Sequence, residues 1–220
     1  MTLGMKHSGS FAEYLIAKGD VHIKVPDNLS DEEAATPGIS ITTVGQGLYE
    51  SLKLPLPTEP VAEPYPILIH GGSTATGILG IQSVKPSGLR VITTCSPRNS
   101  DYLWSLGAVM CALSDDPRRE PRLGAIVPGD EEALCREHPN VRGPPLITLG
   151  YGILSERCAF SWGKSPPKRN EFEFTRVFWE TSRGLLARGL DWTVTPVVNR
   201  GGAGLEGVLV SLEGLRSGQG

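Results

Sequence analysis

The residues best suited to chemistry lie in one short run, Gly71-Gly72-Ser73-Thr74-Ala75-Thr76-Gly77. Glycines let a backbone come close to a charged ligand, and Ser73, Thr74 and Thr76 add hydroxyl donors. A helix starting at Ser73 or Thr74 would turn unpaired N–H groups and the positive end of its dipole toward an anion. Phosphate or pyrophosphate is the ligand that suits such a turn. The spacing departs from a strict G-x-G-x-x-G, so its meaning depends on the elements around it. A second run, Cys95-Ser96-Pro97-Arg98-Asn99, has no carboxylate to accept ribose hydroxyls. Ser96 and Asn99 can donate to a phosphate, and Arg98 can grip one as a fork. Together the two runs predict NADP(H) rather than NAD(H). A plainer role, with Ser96 capping the next helix and Arg98 solvated, is compatible with that reading.

A different chemistry shares these residues. His70-Gly71-Gly72 echoes an esterase oxyanion turn, and Ser73 would sit as the nucleophile between strand and helix. A triad also needs a downstream histidine and an acid. Only His138 lies downstream, in a polar segment beside Pro139, so the phosphate reading is preferred. Cys95, Cys111, Cys135 and Cys158 form no C-x-x-C pair, and His7, His22, His70 and His138 form no H-E-x-x-H. No zinc site is expected, and the thiols read as reduced and mostly buried.

The elements that position the glycine run are legible. A strand at Pro66–His70 leads into it, and a helix runs on to about Lys85, where Pro86-Ser87-Gly88 stops it. A second strand at Leu89–Thr94, a helix near 100–106 and a third strand at Ala108–Leu113 follow. This is the first half of a doubly wound parallel sheet. Residues 114–122, polar with two prolines, then break the pattern, being too short for a parallel crossover. Further strands are expected at Leu123–Val127 and Leu146–Leu149, with a short helix at Glu131–Glu137. Upstream, residues 11–25 read as a strand pair, and Ser30 with Glu33 forms a capping box. A helix is expected over 39–53, with Ile39, Val44, Leu48 and Leu52 on one face, and 54–66 reads as a surface connection. Downstream, a helix is expected over Glu171–Arg188, stopped by Gly189, then an extended stretch at Thr193–Val198 and a helix at Leu205–Leu215.

Composition narrows the class. The chain has 220 residues, 39% hydrophobic, with 21 Lys+Arg against 24 Asp+Glu and a net charge of −3. That balance gives no basic surface for nucleic acid, and no apolar run is long enough to span a membrane. Met1–His7 lacks the apolar core of a signal peptide, so a cytoplasmic protein is expected.

The sequence resembles the medium-chain dehydrogenase/reductase superfamily, and within it the trans-acting enoyl reductases of fungal polyketide synthases. The resemblance rests on Gly9-Ser10-Phe11-Ala12-Glu13-Tyr14, Val25-Pro26-Asp27-Asn28-Leu29, Thr42-Thr43-Val44-Gly45-Gln46-Gly47-Leu48-Tyr49 and Leu52-Lys53-Leu54-Pro55-Leu56-Pro57. It continues through Gly71–Gly77, Thr94-Cys95-Ser96-Pro97 and Phe178-Trp179-Glu180, covering most of 9–113 and 145–218. It implies an α/β fold: a partial Rossmann-type doubly wound parallel sheet (31–220) with a remnant of a GroES-like domain (1–30). It implies zinc-free, NADPH-dependent reduction of an α,β-unsaturated acyl chain on the acyl carrier protein of a polyketide synthase, by a monomer. Hydride would go to the β-carbon, and the α-carbon would then be protonated. By position, Gly71, Gly72, Ser73, Thr74, Ala75 and Thr76 would contact the cofactor phosphates. Ser96, Pro97, Arg98 and Asn99 would surround the 2′-phosphate. Thr42, Thr43, Gly45, Gln46 and Tyr49 would line the acyl channel, with Gly150, Tyr151 and Leu154 on its other wall. The resemblance assigns no catalytic residue here. Against the family pattern, most of the GroES-like domain, a helix–strand–helix unit near 114–122 and a closing strand after Ser217-Gly218 are missing. Weak or no independent activity is therefore expected, and a non-catalytic protein that binds a nucleotide or a synthase is the alternative.

Overall fold

The computed structural model describes residues 12–17, 19–109, 124–125, 136, 146–148, 150, 153, 158–160, 163–165, 168–189 and 204–217. The chain divides into two compact units, Val21–Thr195 and the paired chain ends Met1–Asp20 with Pro196–Gly220.

Within Val21–Thr195, capping chemistry sets the first helix. Ser30 Oγ accepts the Glu33 N–H (3.2 Å), and the Ser30 N–H donates to Glu33 Oε2 (2.9 Å), as the sequence predicts for α1 (Asp31–Ala35). These bonds hold the Glu33 carboxyl below its ordinary value, the Ser30 backbone N–H contributing most. Helix α2 (Gly38–Val44) follows and widens into a π-helical turn at Gly45–Ser51, where the Leu52 N–H reaches the Gly47 carbonyl five residues back (3.1 Å).

Strand β1 (Pro66–Ile69) pairs in parallel with β2 (Arg90–Thr93), Ile67 opposite Val91 and Ile69 opposite Thr93. Between them runs α3 (Ala75–Val84), buried throughout Gly77–Val84. Such a helix must have partners on both sides. Ile78, Ile81 and Val84 pack with Leu89, Val91 and Leu103 on the sheet side. Leu79 joins Ile41, Val44, Tyr49, Phe178 and Leu186 on the other. After β2 come a 3-10 turn at Pro97–Asn99 and helix α4 (Ser100–Ser105). Two residues each form β3 (Gly124–Ala125) and β4 (Leu146–Ile147), which pair in parallel. An antiparallel hairpin, β5 (Cys158–Phe160) with β6 (Gly163–Ser165), is a feature that sequence patterning did not anticipate. Helix α5 (Arg169–Ala187) ends at Gly189, whose φ is +72°, the left-handed stop its position predicted. Among the chain ends, helix α6 spans Gly204–Arg216.

Several expectations are corrected. The described part of 11–25 contains no strand, only a 3-10 turn at Gly19–Val21. A two-stranded pair standing alone is marginal, and Tyr14, which such a pair would have to bury, is 90% exposed. Ile39 does not share a face with Val44; it is 53% exposed while Ile41 is in the core. A step of five residues carries a side chain well round a helix, away from the buried stripe. The 52–65 connection has no regular element but is not merely surface, since Leu54, Leu56, Val61 and Tyr65 pack against the two clusters. Of the third strand, the described part is a single bridge, Val91 to Ala108, with Met110–Leu113 outside the described residues. Thr193–Val198 and, apart from Arg136, the Glu131–Glu137 helix also lie outside them.

Candidate functional site

The glycine run sits where β1 meets α3, at the C-terminal edge of the sheet, where ligands of open α/β folds bind. Thr94, the residue after β2, fixes it. Its hydroxyl accepts the Gly71 N–H (3.0 Å) and its carbonyl accepts the Gly72 N–H (3.0 Å). The same hydroxyl lies 2.8 Å from His70 Nδ1. Gly71 has φ +71°, which only glycine adopts readily. Gly72 is needed for space: a Cβ would stand 2.0 Å from Thr93 Oγ1. Gly77 is needed for helix–strand contact, a Cβ there falling 2.4 Å from the Gly71 carbonyl oxygen. Thr74 is the N-cap, its hydroxyl accepting the Gly77 N–H (3.1 Å) and donating to the Gly71 carbonyl (2.8 Å).

The donors of this turn thus divide in two. Gly71, Gly72, Thr74 and Gly77 use their N–H groups internally. No hydrogen bond among the described residues draws on the N–H groups of Ser73, Ala75 and Thr76, at the exposed start of α3. Beyond Thr94 the chain passes Ser96 and the turn Pro97–Asn99, and Arg98 is exposed with no ion pair among the described residues. Open amides at a helix start, with a free guanidinium and no carboxylate on the adjoining loop, suit a dinucleotide carrying a further phosphate. A triad is not assembled here: Ser73 makes no side-chain bond to a histidine among the described residues, and His138 lies outside them.

The second group of expected site residues lies on α2 and its π-turn. Gly80 approaches Val44, and Tyr49 reaches Ser83 and Ser87, so α2 and α3 run alongside in the same sense. The first half of α2 therefore lies toward the glycine end of α3. Thr42 and Thr43 turn their hydroxyls back to Gly38 and Ile39 carbonyls (3.3 and 2.9 Å). Gly150 is brought beside both, a Cβ there standing 3.4 Å from Thr43 Oγ1. Gln46 instead faces α5, its Nε2 donating to Glu171 Oε2 (3.3 Å), while Lys168 pairs with Glu171. Burial, then the Glu171 charge, push the Glu50 carboxyl up, opposed by Lys53 and Lys168.

Gly45 and Tyr49 serve packing. A Cβ on Gly45 would meet Phe178 Cδ1 at 2.5 Å. The Tyr49 hydroxyl donates to the Ser83 carbonyl (2.9 Å) and lies 3.2 Å from Ser87 Oγ, and burial pushes it up to about 12. Tyr151 and Leu154 lie outside the described residues.

A trans-enoyl reductase of Alternaria alternata, ACTTS2, is 32% identical over 96% of this chain and 68% of its own length. The chain belongs to the trans-enoyl reductase family. Trans-enoyl reductase TOXD of Cochliobolus carbonum is 60% identical over 100 residues, 46% of this chain and 34% of that protein. The chain thus spans about a third of the length of some trans-enoyl reductases it matches and about two thirds of others. No family model matches it. Among solved structures, the Escherichia coli quinone oxidoreductase complexed with NADPH superposes with a TM-score of 0.54 at 16% identity, covering 89% of this chain and 64% of that one. The fold is accordingly shared with that oxidoreductase over about two thirds of its length.

Sequence reasoning missed the residues that hold the site in shape. Thr94 and His70 organise the glycine run, and Thr93 fills the space that Gly72 leaves. The available signal was two hydroxyl residues ending β2 directly opposite a glycine turn. Glu171, which anchors Gln46, carried no local signal, and Trp179, which anchors Thr42, stood out only through the Phe178-Trp179-Glu180 run, both being far from their partners in the chain.

Proposed function

We propose that this trans-enoyl reductase homologue binds NADP(H) at the start of α3 and uses it to reduce an α,β-unsaturated polyketide acyl chain presented on an acyl carrier protein. The reading is carried by the N–H groups of Ser73, Ala75 and Thr76, on which no hydrogen bond among the described residues draws, at a turn bonded to Thr94, whose loop leads on to the exposed Arg98. Gly71 and Gly72 admit the pyrophosphate, the helix start and Thr76 hydroxyl bind it, and Ser96, Arg98 and Asn99 hold the 2′-phosphate. The NADPH of the E. coli quinone oxidoreductase supports a nicotinamide cofactor for this fold. When bound, that cofactor supplies a hydride to the acyl β-carbon. The chain's own part is to orient the acyl group: Thr42 and Thr43 form one wall of its path with Gly150, which lies beside them instead of on the opposite wall expected from the sequence, and Gln46 stands behind them. In this reading residues 31–220 form the cofactor-binding part, and the protein works as a monomer in the cytoplasm with its synthase.

A second reading, a non-catalytic protein that keeps nucleotide or synthase affinity, is favoured by the sheet. Among the described residues β1 pairs only with β2, and Leu68 on its outer face is 48% exposed. In a doubly wound sheet that face is covered. Turnover of a crotonyl thioester with NADPH separates the two. The catalytic reading expects oxidation of NADPH that depends on the thioester. NADPH binding without turnover selects the non-catalytic one.

A further inference from the structure

Two buried polar atoms between the π-turn and α5 have no protein partner, and their neighbours fix where they face. The Gln46–Glu171 bond (3.3 Å) and the bond from Trp179 Nε1 to Thr42 Oγ1 (3.2 Å) lay α5 antiparallel along residues 42–46. Thr175 lies midway between Glu171 and Trp179, one turn from each and on the same stripe. Its side chain therefore faces the stretch between Thr42 and Gln46. Thr175 is 1% exposed, and its Oγ1 makes no hydrogen bond. A helical hydroxyl has a ready acceptor in the carbonyl four residues back, and on this same helix Thr181 and Ser182 use theirs (3.0 and 2.8 Å). Thr175 does not. Gln46 is 2% exposed, and with Nε2 committed to Glu171 its Oε1 is left without a donor. Thr148 Oγ1, also buried and without a partner, stands 3.5 Å from where a Cβ on the next residue, Gly47, would lie.

We propose that Gln46 Oε1 and Thr175 Oγ1 bind an internal water molecule. The group that completes them must donate to an amide oxygen and also accept from, or donate to, a hydroxyl. Water does both and keeps a further hydrogen-bonding direction for a third buried group such as Thr148. Leaving buried polar atoms without partners costs more than immobilising one water. The water ties the π-turn to α5 and fixes the Gln46 amide in one orientation. This site stands whether or not the chain reduces an acyl group.

Water relaxation dispersion on the full chain tests it, together with Thr175→Val, which removes the hydroxyl and keeps the shape. The wild-type chain shows a long-lived water whose contribution Thr175→Val abolishes and Thr175→Ser retains, and Thr175→Val lowers Tm. If the hydroxyl is dry, Thr175→Val raises Tm, because a methyl replaces an unsatisfied polar group, and the dispersion does not change. That result overturns the proposal. A wild-type chain with no long-lived water overturns it without any variant.

Discussion

Gly72 and Gly77 are fixed by contact rather than by backbone freedom, since neither has a positive φ. A methyl at either meets atoms with little room to move, Thr93 Oγ1 at 2.0 Å and the Gly71 carbonyl at 2.4 Å. Gly72→Ala and Gly77→Ala should each cost about 1–3 kcal/mol, read from denaturant midpoints. Gly184, in mid-helix with nothing within 4 Å, is the control: Gly184→Ala should stabilise by about 0.5–1 kcal/mol. Tyr49 makes a pH prediction. Its hydroxyl is raised from 10.0 to about 12 by burial, so the folded state holds the proton more tightly than the unfolded chain. Stability is then full below pH 10 and falls by about 1.4 kcal/mol per pH unit until the folded hydroxyl ionises near 12. In Tyr49→Phe that alkaline decline should be shallower, and the variant should be less stable at neutral pH through loss of the Ser83 bond. An unchanged alkaline limb would contradict the assignment.

At the scale of elements, α3 depends on Thr74, whose hydroxyl caps Gly77 and clasps the Gly71 carbonyl. Thr74→Ala should lower stability by about 1 kcal/mol in thermal or chemical unfolding, with Thr74→Ser close to wild type. Elements governed by local chemistry were readable from the sequence: the Ser30–Glu33 capping box, the strand–glycine–helix run from Pro66 to Val84, and the stop at Gly189. Elements governed by distant contacts were not. The π-turn sits where Phe178 packs on Gly45 and where Tyr49 reaches Ser83, contacts made by residues remote in the chain. The strand pair expected over 11–25 had suitable alternation, but the described residues there bury no face that could hold a sheet, Tyr14 and Ile16 being exposed. The candidate site divides in the same way. The open amides of α3 follow from glycine and threonine spacing, whereas the packing of Gly45 and Tyr49 depends on α5 and on the far end of α3.

At the scale of the whole molecule, the described residues combine a complete first βαβ unit with several short strand pairs. The β1–α3–β2 unit has close glycine contacts, a capped helix and a core on each side of that helix. The described remainder contributes two-residue and three-residue strand pairs. A dinucleotide needs chiefly the first unit for its phosphates, so coenzyme binding should survive where turnover does not. Fluorescence titration with NADPH tests this most directly. The account predicts a saturable signal, weaker binding of NADH, and an affinity for NADPH reduced about tenfold or more in Arg98→Ala, as expected for loss of a charge-assisted phosphate contact. No saturable signal, or equal affinity for both coenzymes that Arg98→Ala leaves unchanged, would contradict it.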